Sequence, residues 1–164
     1  MGFDSETAFE SALIKCLVEE KGWKDGVIKY PTEKDLLDNW AKIIFENNRD
    51  IDRLGDFPMT DGEMAQIMGQ IAKLRTPLNL NGFINGGTVQ IIRDNENDTH
   101  NFKKTISLKI FDRNEIAAGR TRYQIAQQPK FKAKNSIYPN RRGDFCLLIN
   151  GMPVIHVELS VVAE

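Results

Sequence analysis

The feature that most constrains this chain is a pair of apolar runs near its end with a carboxylate on either side. Residues 145–149 and 154–159 flank the dipeptide Asn150-Gly151, and this pattern predicts a β-hairpin. Runs so uniformly apolar are typical of central strands buried on both faces. The hairpin would bring Asp144 and Glu158 to one end of a sheet. Two carboxylates held together suit a hard divalent cation such as Mg²⁺.

The length of the turn decides whether these two carboxylates meet. A three-residue loop with glycine as a bulge places Asp144 directly opposite Glu158, whereas a strict two-residue turn places Gly143 there. Residue 160 shares a face with residue 158 because side chains in a strand alternate. A paired-carboxylate site therefore requires the longer loop, with Asp144, Glu158 and Ser160 at one sheet end.

The first half of the chain has helical periodicity. Apolar residues at three- and four-residue spacing predict a first helix that ends at Gly22. Thr32 with Asp35, and Thr60 with Glu63, are capping boxes that predict the starts of a second and a third helix. Pro77 is expected to end the third helix.

The second half has strand periodicity. Residues 88–93 and 105–111 predict a hairpin with a polar loop, and 122–127 predict a further strand. The basic stretch 130–142 is expected to be a loop that contacts phosphates or is simply solvated. Helices followed by a mixed sheet indicate an α/β (α+β) fold with an N-terminal helical portion.

Composition gives a general frame. The chain has 164 residues, 41% hydrophobic residues and a net charge of −1, which predicts one globular domain over 1–164 without a basic field of its own. Cys16 and Cys146 lie in apolar runs and are expected to be buried free thiols. A signal peptide and a long apolar span are both lacking, so we expect a cytoplasmic protein without membrane contact.

Specific motifs add a resemblance to this frame. The chain resembles the N-terminal region of the R (restriction) subunit of prokaryotic type I restriction–modification enzymes, and the metal-dependent nuclease signature PD…(D/E)xK. That family shows "NQ", "RRPD", "VNGLP" and "ELK" in this order. The corresponding stretches here are Ala126-Gln127-Gln128, Arg141-Arg142-Gly143-Asp144, Ile149-Asn150-Gly151-Met152-Pro153 and Glu158-Leu159-Ser160, and residues 9–23 resemble the family's opening helix.

The resemblance implies a restriction-endonuclease-like core, in which a mixed sheet is flanked by helices. It implies hydrolysis of DNA phosphodiester bonds with Mg²⁺ or Mn²⁺ in the restriction of foreign DNA. Asp144, Glu158 and the backbone carbonyl of Leu159 would hold the metal. Glu10 matches a helix position where such nucleases often place another acidic residue, and Glu19 and Glu20 are its rivals.

Further site residues and partners follow from the same resemblance. The residues that would contact DNA are Gln127, Gln128, Arg141 and Arg142. The partners would be DNA and the methyltransferase and specificity subunits. ATP would be used only by a helicase motor that follows the nuclease domain, so the chain is expected to be a domain truncated at its C-terminus.

The chain departs from the family pattern at two motif positions. Gly143 replaces a proline, which the strand entry tolerates. Ser160 replaces the catalytic lysine, and serine has neither the charge nor the reach to orient a water or to counter developing negative charge. We therefore expect an impaired nuclease. The alternative is a non-catalytic module that keeps the fold and docks onto the methyltransferase and specificity subunits.

Overall fold

The structure is a computed structural model that describes residues 5–84, 87–111, 121–131, 141–142 and 144–160. The chain divides into two compact units, of which the first is Met1–Leu36 with Arg122–Glu164 and the second is Leu37–Thr121. The expectation of one domain over 1–164 stays a prediction. No helix among the described residues is both long and apolar enough to cross a bilayer.

The elements follow the predicted order of helices first and strands second, except for one short strand between the first two helices. The helices are α1 Glu6–Glu20, α2 Glu33–Asn47, α3 Asp61–Ile71 and α4 Pro77–Ile84. The strands are β1 Val27–Lys29, β2 Thr88–Ile92, β3 Thr105–Lys109, β4 Tyr123–Gln127, β5 Lys130–Phe131, β6 Arg141–Arg142, β7 Phe145–Ile149 and β8 Met152–Val157. The predicted mixed α/β class is confirmed.

The predicted starts and ends of the first helices are confirmed. Gly22 follows α1 with φ 82°, and the amide of Trp23 reaches back to the carbonyl of Leu17 at 3.1 Å, a glycine-dependent helix end. At the start of α2 the Asp35 carboxylate accepts hydrogen bonds from the amide (2.8 Å) and the hydroxyl of Thr32. These two hydrogen bonds lower the pKa of the Asp35 carboxyl.

A four-stranded mixed sheet forms the first unit, in the order β1-β4-β7-β8. β1 runs parallel to β4, and the other neighbours are antiparallel. Ile125, Phe145 and Leu147 pack with Ile14 of α1 in one apolar cluster. A second cluster joins Ala126, Cys146 and Leu148 to Leu36. Because neighbouring residues of one strand belong to different clusters, each cluster covers one face of the sheet.

The two strands of the terminal hairpin differ in burial. β7 is buried on both faces, as predicted, because it lies between β4 and β8. β8 was predicted to be a central strand, and this is wrong. It lies at the edge of the sheet and alternates between half-buried and exposed side chains, with Ile155 50% exposed. An edge strand tolerates Pro153, which has no amide hydrogen to donate.

The second unit contains α3, α4 and the antiparallel pair β2–β3. The Thr60–Glu63 capping box is present at the start of α3. Pro77 does not end this helix, which stops at Ile71. Instead Pro77 is the first residue of α4, after Thr76, whose hydroxyl accepts a hydrogen bond from the amide of Asn79 at 3.2 Å. Proline is favoured at this position because its amide would have no helical partner.

Sequence patterns missed the shortest elements. β1 has three residues, too few for a strand period to be visible. The ends of the expected loop over 130–142 pair as β5 and β6. Residues 132–140, which carry the rest of that basic stretch, lie outside the described residues.

Candidate functional site

The turn of the terminal hairpin is shorter than predicted. Ile149 pairs with Met152, so the connection consists of Asn150 and Gly151 alone. Both residues have positive φ, 50° and 84°, as a two-residue hairpin turn requires. The Asn150 side-chain oxygen accepts a hydrogen bond from the amide of Arg122 at 2.9 Å, which fixes this turn beside the start of β4. The predicted three-residue loop is therefore wrong.

A bulge in β8 restores the register that the short turn would have lost. Leu148 pairs with Pro153 but Leu147 pairs with Ile155, so Val154 is an extra residue in β8. The ladder then runs to Phe145 opposite Val157. Continuing this register by one residue brings Asp144 opposite Glu158, the arrangement that a metal site needs.

Asp144 links the ends of three strands. Its backbone carbonyl accepts a hydrogen bond from the amide of Gln128 at 2.7 Å, just after β4. Its side-chain carboxylate accepts a hydrogen bond from the amide of Leu159, just after β8. The backbone of residue 144 thus joins β7 to β4, and its carboxylate joins β7 to β8.

Glu10 is the acidic residue of α1 that points toward this end of the sheet. It is only 3% exposed, whereas Glu19 and Glu20 are exposed. Its carboxylate accepts hydrogen bonds from the side-chain amides of Gln127 at 2.6 Å and Gln128 at 3.2 Å. Glu10 is therefore not one of the solvated charges of this helix.

Helix geometry explains the orientation of Glu10. Glu10 precedes Ile14 by four residues, so both lie on the stripe of α1 that packs against the sheet. Gln127 follows Ile125 by two residues in β4 and so faces the same side. The contacts between Glu10 and both glutamines were not predicted, although the position of Glu10 on the apolar stripe could have indicated them.

The other predicted site residues are less enclosed. The Glu158 side chain is 78% exposed, and its carboxylate lies 3.9 Å from the imidazole Nε2 of His156. The His156 side chain is 48% exposed, because β8 is an edge strand. Ser160 is exposed two residues beyond Glu158.

Some predicted residues can be described only in part. The backbones of Arg141 and Arg142 pair with Phe131 and Lys130, and their side chains lie outside the description, as does Gly143. DNA contacts by these arginines and by Gln127 and Gln128 stay predictions.

The donors described around Glu10 and Asp144 are neutral amide groups. These donors satisfy oxygen atoms without cancelling negative charge. Within the described part of the chain, no three Asp, Glu, His or Cys side chains are grouped closely enough to hold a metal. Cys146 offers no thiolate, since burial raises the pKa of its thiol. The oxygen atoms that this sheet end offers to a hard metal include the carboxylates of Asp144 and Glu158, and metal binding by these residues stays a prediction.

Comparison with known proteins identifies the family of this chain. The family model described as "Type I restriction enzyme R protein N terminus" matches residues 4–160. The chain belongs to this family. The Type I restriction enzyme SsaAORF53P endonuclease subunit of Staphylococcus saprophyticus is 28% identical over an alignment of 164 residues that covers 98% of this chain and 15% of the relative.

Further relatives of this R-subunit N-terminal region have similar names. The Type I restriction enzyme SauCOLORF180P endonuclease subunit of Staphylococcus aureus strain COL is 27% identical over 162 residues, again 98% of this chain and 15% of the relative. The SauMRSORF196P endonuclease subunit of strain MRSA252 has the same identity and coverage. The chain thus spans 15% of the length of these relatives.

Proposed function

We propose that this chain is the nuclease domain of a type I restriction enzyme R subunit. It hydrolyses DNA phosphodiester bonds with Mg²⁺ or Mn²⁺, at a rate reduced by Ser160. The observation that carries the proposal is the contact of the Asp144 carboxylate with the amide of Leu159, in the register that leads to Glu158. The family and its endonuclease relatives support the same reaction.

The donor atoms suit a hard cation. The carboxylates of Asp144 and Glu158 and the carbonyl of Leu159 would be its ligands, and all three supply oxygen. When bound, the metal lowers the pKa of a water molecule and neutralises charge on the scissile phosphate. Glu10 adds negative charge behind this site, and Gln127 and Gln128 hold its carboxylate in one orientation.

Ser160 limits the rate in this proposal. A lysine at this position would place a positive charge beside the developing negative charge of the transition state. The serine hydroxyl donates one uncharged hydrogen bond from a short side chain. Loss of a comparable electrostatic group costs roughly two to three orders of magnitude in rate.

The remaining parts of the proposal concern the whole enzyme. DNA is the substrate, and the methyltransferase and specificity subunits are the partners. ATP acts on the motor region of the R subunit, which the residues described here do not include. Only the hydrolytic step is assigned to this chain.

Metal binding tests the proposal most directly. Isothermal titration with Mn²⁺ is expected to detect a site that Asp144→Ala and Glu158→Ala each abolish. Glu20→Ala removes an exposed carboxylate from α1 and is the matched control, which should leave binding intact. Manganese binding that survives both site variants would refute the metal assignment.

A second candidate function is favoured by Ser160 alone. A chain without the lysine would serve as a non-catalytic module that docks onto the methyltransferase and specificity subunits. This function predicts assembly with those subunits and no Mn²⁺ site that depends on Asp144. Titration together with a subunit-binding assay separates the two functions.

A further inference from the structure

The end of β1 carries an exposed aromatic residue beside the candidate site. Tyr30 follows β1 directly and is 49% exposed. Its amide donates a hydrogen bond to the carbonyl of Gln127 at 2.8 Å, and the Gln127 side chain holds Glu10. Tyr30 therefore lies in the same row of strand ends as the carboxylates, on the β1 side.

A lysine is positioned over this aromatic ring. The Lys130 ammonium lies 6.0 Å from the centroid of the Tyr30 ring, within the range of a cation–π interaction. The backbone fixes the pair, because the amide of Lys130 donates to the carbonyl of Pro31 at 2.8 Å. Lys29 ends β1 opposite Gln127 and is exposed, so it adds a second cation at this end of the sheet.

The backbone conformation of Tyr30 is unusual. Its φ is 55°, and a bulky side chain rarely adopts this left-handed region. Gln128, at the end of the neighbouring strand, has φ 47°. Unfavourable conformations of this kind cluster at binding sites, where the surrounding structure maintains them. Here the conformation keeps the large Tyr30 ring near solvent beside the site, where the ring gains no stabilisation from burial.

The spacing suits one strand of DNA. Neighbouring β-strands are about 4.8 Å apart, so the two steps from β1 through β4 to β7 cover about 10 Å. A DNA strand carries one phosphate per roughly 3.4 Å of helix axis. The separation of about 10 Å exceeds this axial rise, so a strand lying across these ends would meet Tyr30 and Asp144 with different phosphates.

Electrostatics favours a cation at the far end of this row. A phosphate strand that approaches Glu10, Asp144 and Glu158 is repelled by three carboxylates. A bound metal would relieve this repulsion only at the scissile phosphate. Phosphates further along need their own positive partners, and Lys130 supplies an exposed ammonium on the β1 side of the site.

We propose that Tyr30 and Lys130 form a contact for the sugar–phosphate backbone of the DNA strand that enters the Asp144–Glu158 site. The Lys130 ammonium pairs with a phosphate, and the Tyr30 ring holds that ammonium while its hydroxyl donates to a phosphate oxygen. Both are positioning residues. The inference rests on the proposed nuclease function, because it needs DNA at the carboxylates.

Salt-dependent binding tests the contact without any hydrolysis. Binding of the 164-residue chain to a labelled duplex is measured by fluorescence anisotropy in EDTA across a salt series. Loss of one phosphate contact reduces the magnitude of the negative slope of log K against log salt by about 0.9 and lowers the affinity at low salt roughly tenfold. Lys130→Ala should show both changes. Lys130→Arg should keep the slope and the affinity of the unaltered chain.

Matched variants separate a contact from a general loss of charge. Lys24→Ala removes the same charge near the start of β4, since the neighbouring Asp25 bonds to Tyr123 there. It should leave the slope unchanged. Tyr30→Ala should weaken binding about three- to tenfold and Tyr30→Phe less, because phenylalanine keeps the ring that holds the ammonium. Circular dichroism of each variant checks that the fold is retained.

Three results would overturn the inference. These are equal slopes for Lys130→Ala and Lys24→Ala, unchanged affinity in folded Tyr30→Ala, or no DNA binding by the unaltered chain at any salt concentration. Manganese titration does not involve Tyr30 or Lys130. A failure of this inference therefore leaves the metal assignment standing, and a failure of the metal assignment appears separately.

Discussion

The two units bury carboxylates in different ways. In the second unit Glu63 and Asp98 surround Arg93, whose guanidinium lies 2.7 Å from the Glu63 carboxylate and 2.9 Å from that of Asp98. All three side chains are 2% exposed or less. In the first unit the donors described for Glu10 and Asp144 are glutamine amides and a backbone amide.

The buried ion cluster of the second unit also makes hydrogen bonds to the surrounding backbone. Arg93 also donates to the carbonyls of Phe57 at 2.6 Å and Pro58 at 3.3 Å. Glu63 accepts from the amides of Thr60 at 3.0 Å and Asp94 at 2.9 Å, so it caps α3 as well. These contacts connect the residues after β2 to the start of α3.

The comparison indicates that a carboxylate paired with a cation of the same chain has a structural role, whereas a carboxylate without such a cation is suited to binding. A buried carboxylate that is paired with a cation of the same chain needs no further positive charge. A carboxylate held by neutral donors keeps its negative charge in place and ready for a cation from outside. This reasoning supports the proposal of a cation site at the sheet end of the first unit and gives the buried ion cluster of the second unit a structural role.

The largest expected effect comes from removing the built-in cation. Arg93→Met leaves Glu63 and Asp98 buried without their partner, and breaking such a buried pair costs about 3–5 kcal/mol of unfolding free energy. Urea denaturation measures the loss. Arg49→Met, at an exposed pair with Asp56, is the control and should cost less than about 1 kcal/mol. Similar losses in both variants would mean that the buried cluster is not structural.

The next effect comes from adding a cation to the first unit. Ser160→Lys should raise Mg²⁺-dependent nicking of plasmid DNA roughly 100- to 1,000-fold, because it supplies charge where the transition state develops it. The same substitution combined with Asp144→Ala should give no gain. A gain that persists without Asp144, or no gain at all, would contradict the assignment of this sheet end as the catalytic site.

Local signals predicted more of this molecule than long-range ones. The two Thr capping boxes and Gly22 correctly located helix ends, since each depends on contacts within a few residues. Asn150-Gly151 correctly located the hairpin turn. The bulge at Val154 was not predicted. Bulges are common in edge strands, and the position of β8 at the edge depends on strand order, which is not a local property.

The candidate site shows the same limit. Asp144 and Glu158 were identified from motif spacing, and their facing register follows from the bulge rather than from the loop that was predicted. Glu10 was preferred over its rivals only through resemblance, although its spacing from Ile14 already favours burial. The use of Gln127 and Gln128 to hold Glu10 links residues 117 and 118 positions apart, which no pattern along the chain can predict.

A matched pair of Glu→Gln substitutions sharpens the comparison at smaller magnitude. Glu63→Gln removes the charge that Arg93 needs and should cost about 1.5–3 kcal/mol, the range for hydrogen bonds to charged groups. Glu10→Gln keeps an oxygen acceptor for Gln127 and removes a buried charge, so the unfolding free energy should change by less than about 1 kcal/mol. Urea denaturation of the metal-free chain measures both. Equal costs would mean that Glu10, like Glu63, has a built-in cation.

The smallest expected effect is a dependence of the unfolding free energy on pH, and it comes from a residue of the second unit. Burial acts to raise the pKa of Asp98, but hydrogen bonds from Arg93 and Asn101 outweigh it and leave this pKa below its ordinary value. A folded pKa below the unfolded value of about 3.9 stabilises the fold above that pH, and the stabilisation is lost as pH falls through the folded pKa. Unfolding free energy should therefore fall on acidification below about pH 4.

Asp98→Asn tests this linkage, because asparagine does not titrate. The variant should be less stable than the unaltered chain near neutral pH, and its unfolding free energy should depend less steeply on pH in the acid range. Asp52→Asn, at an exposed position, should keep the original slope. An unchanged slope in Asp98→Asn would show that other carboxylates carry the acid response, which would contradict this prediction.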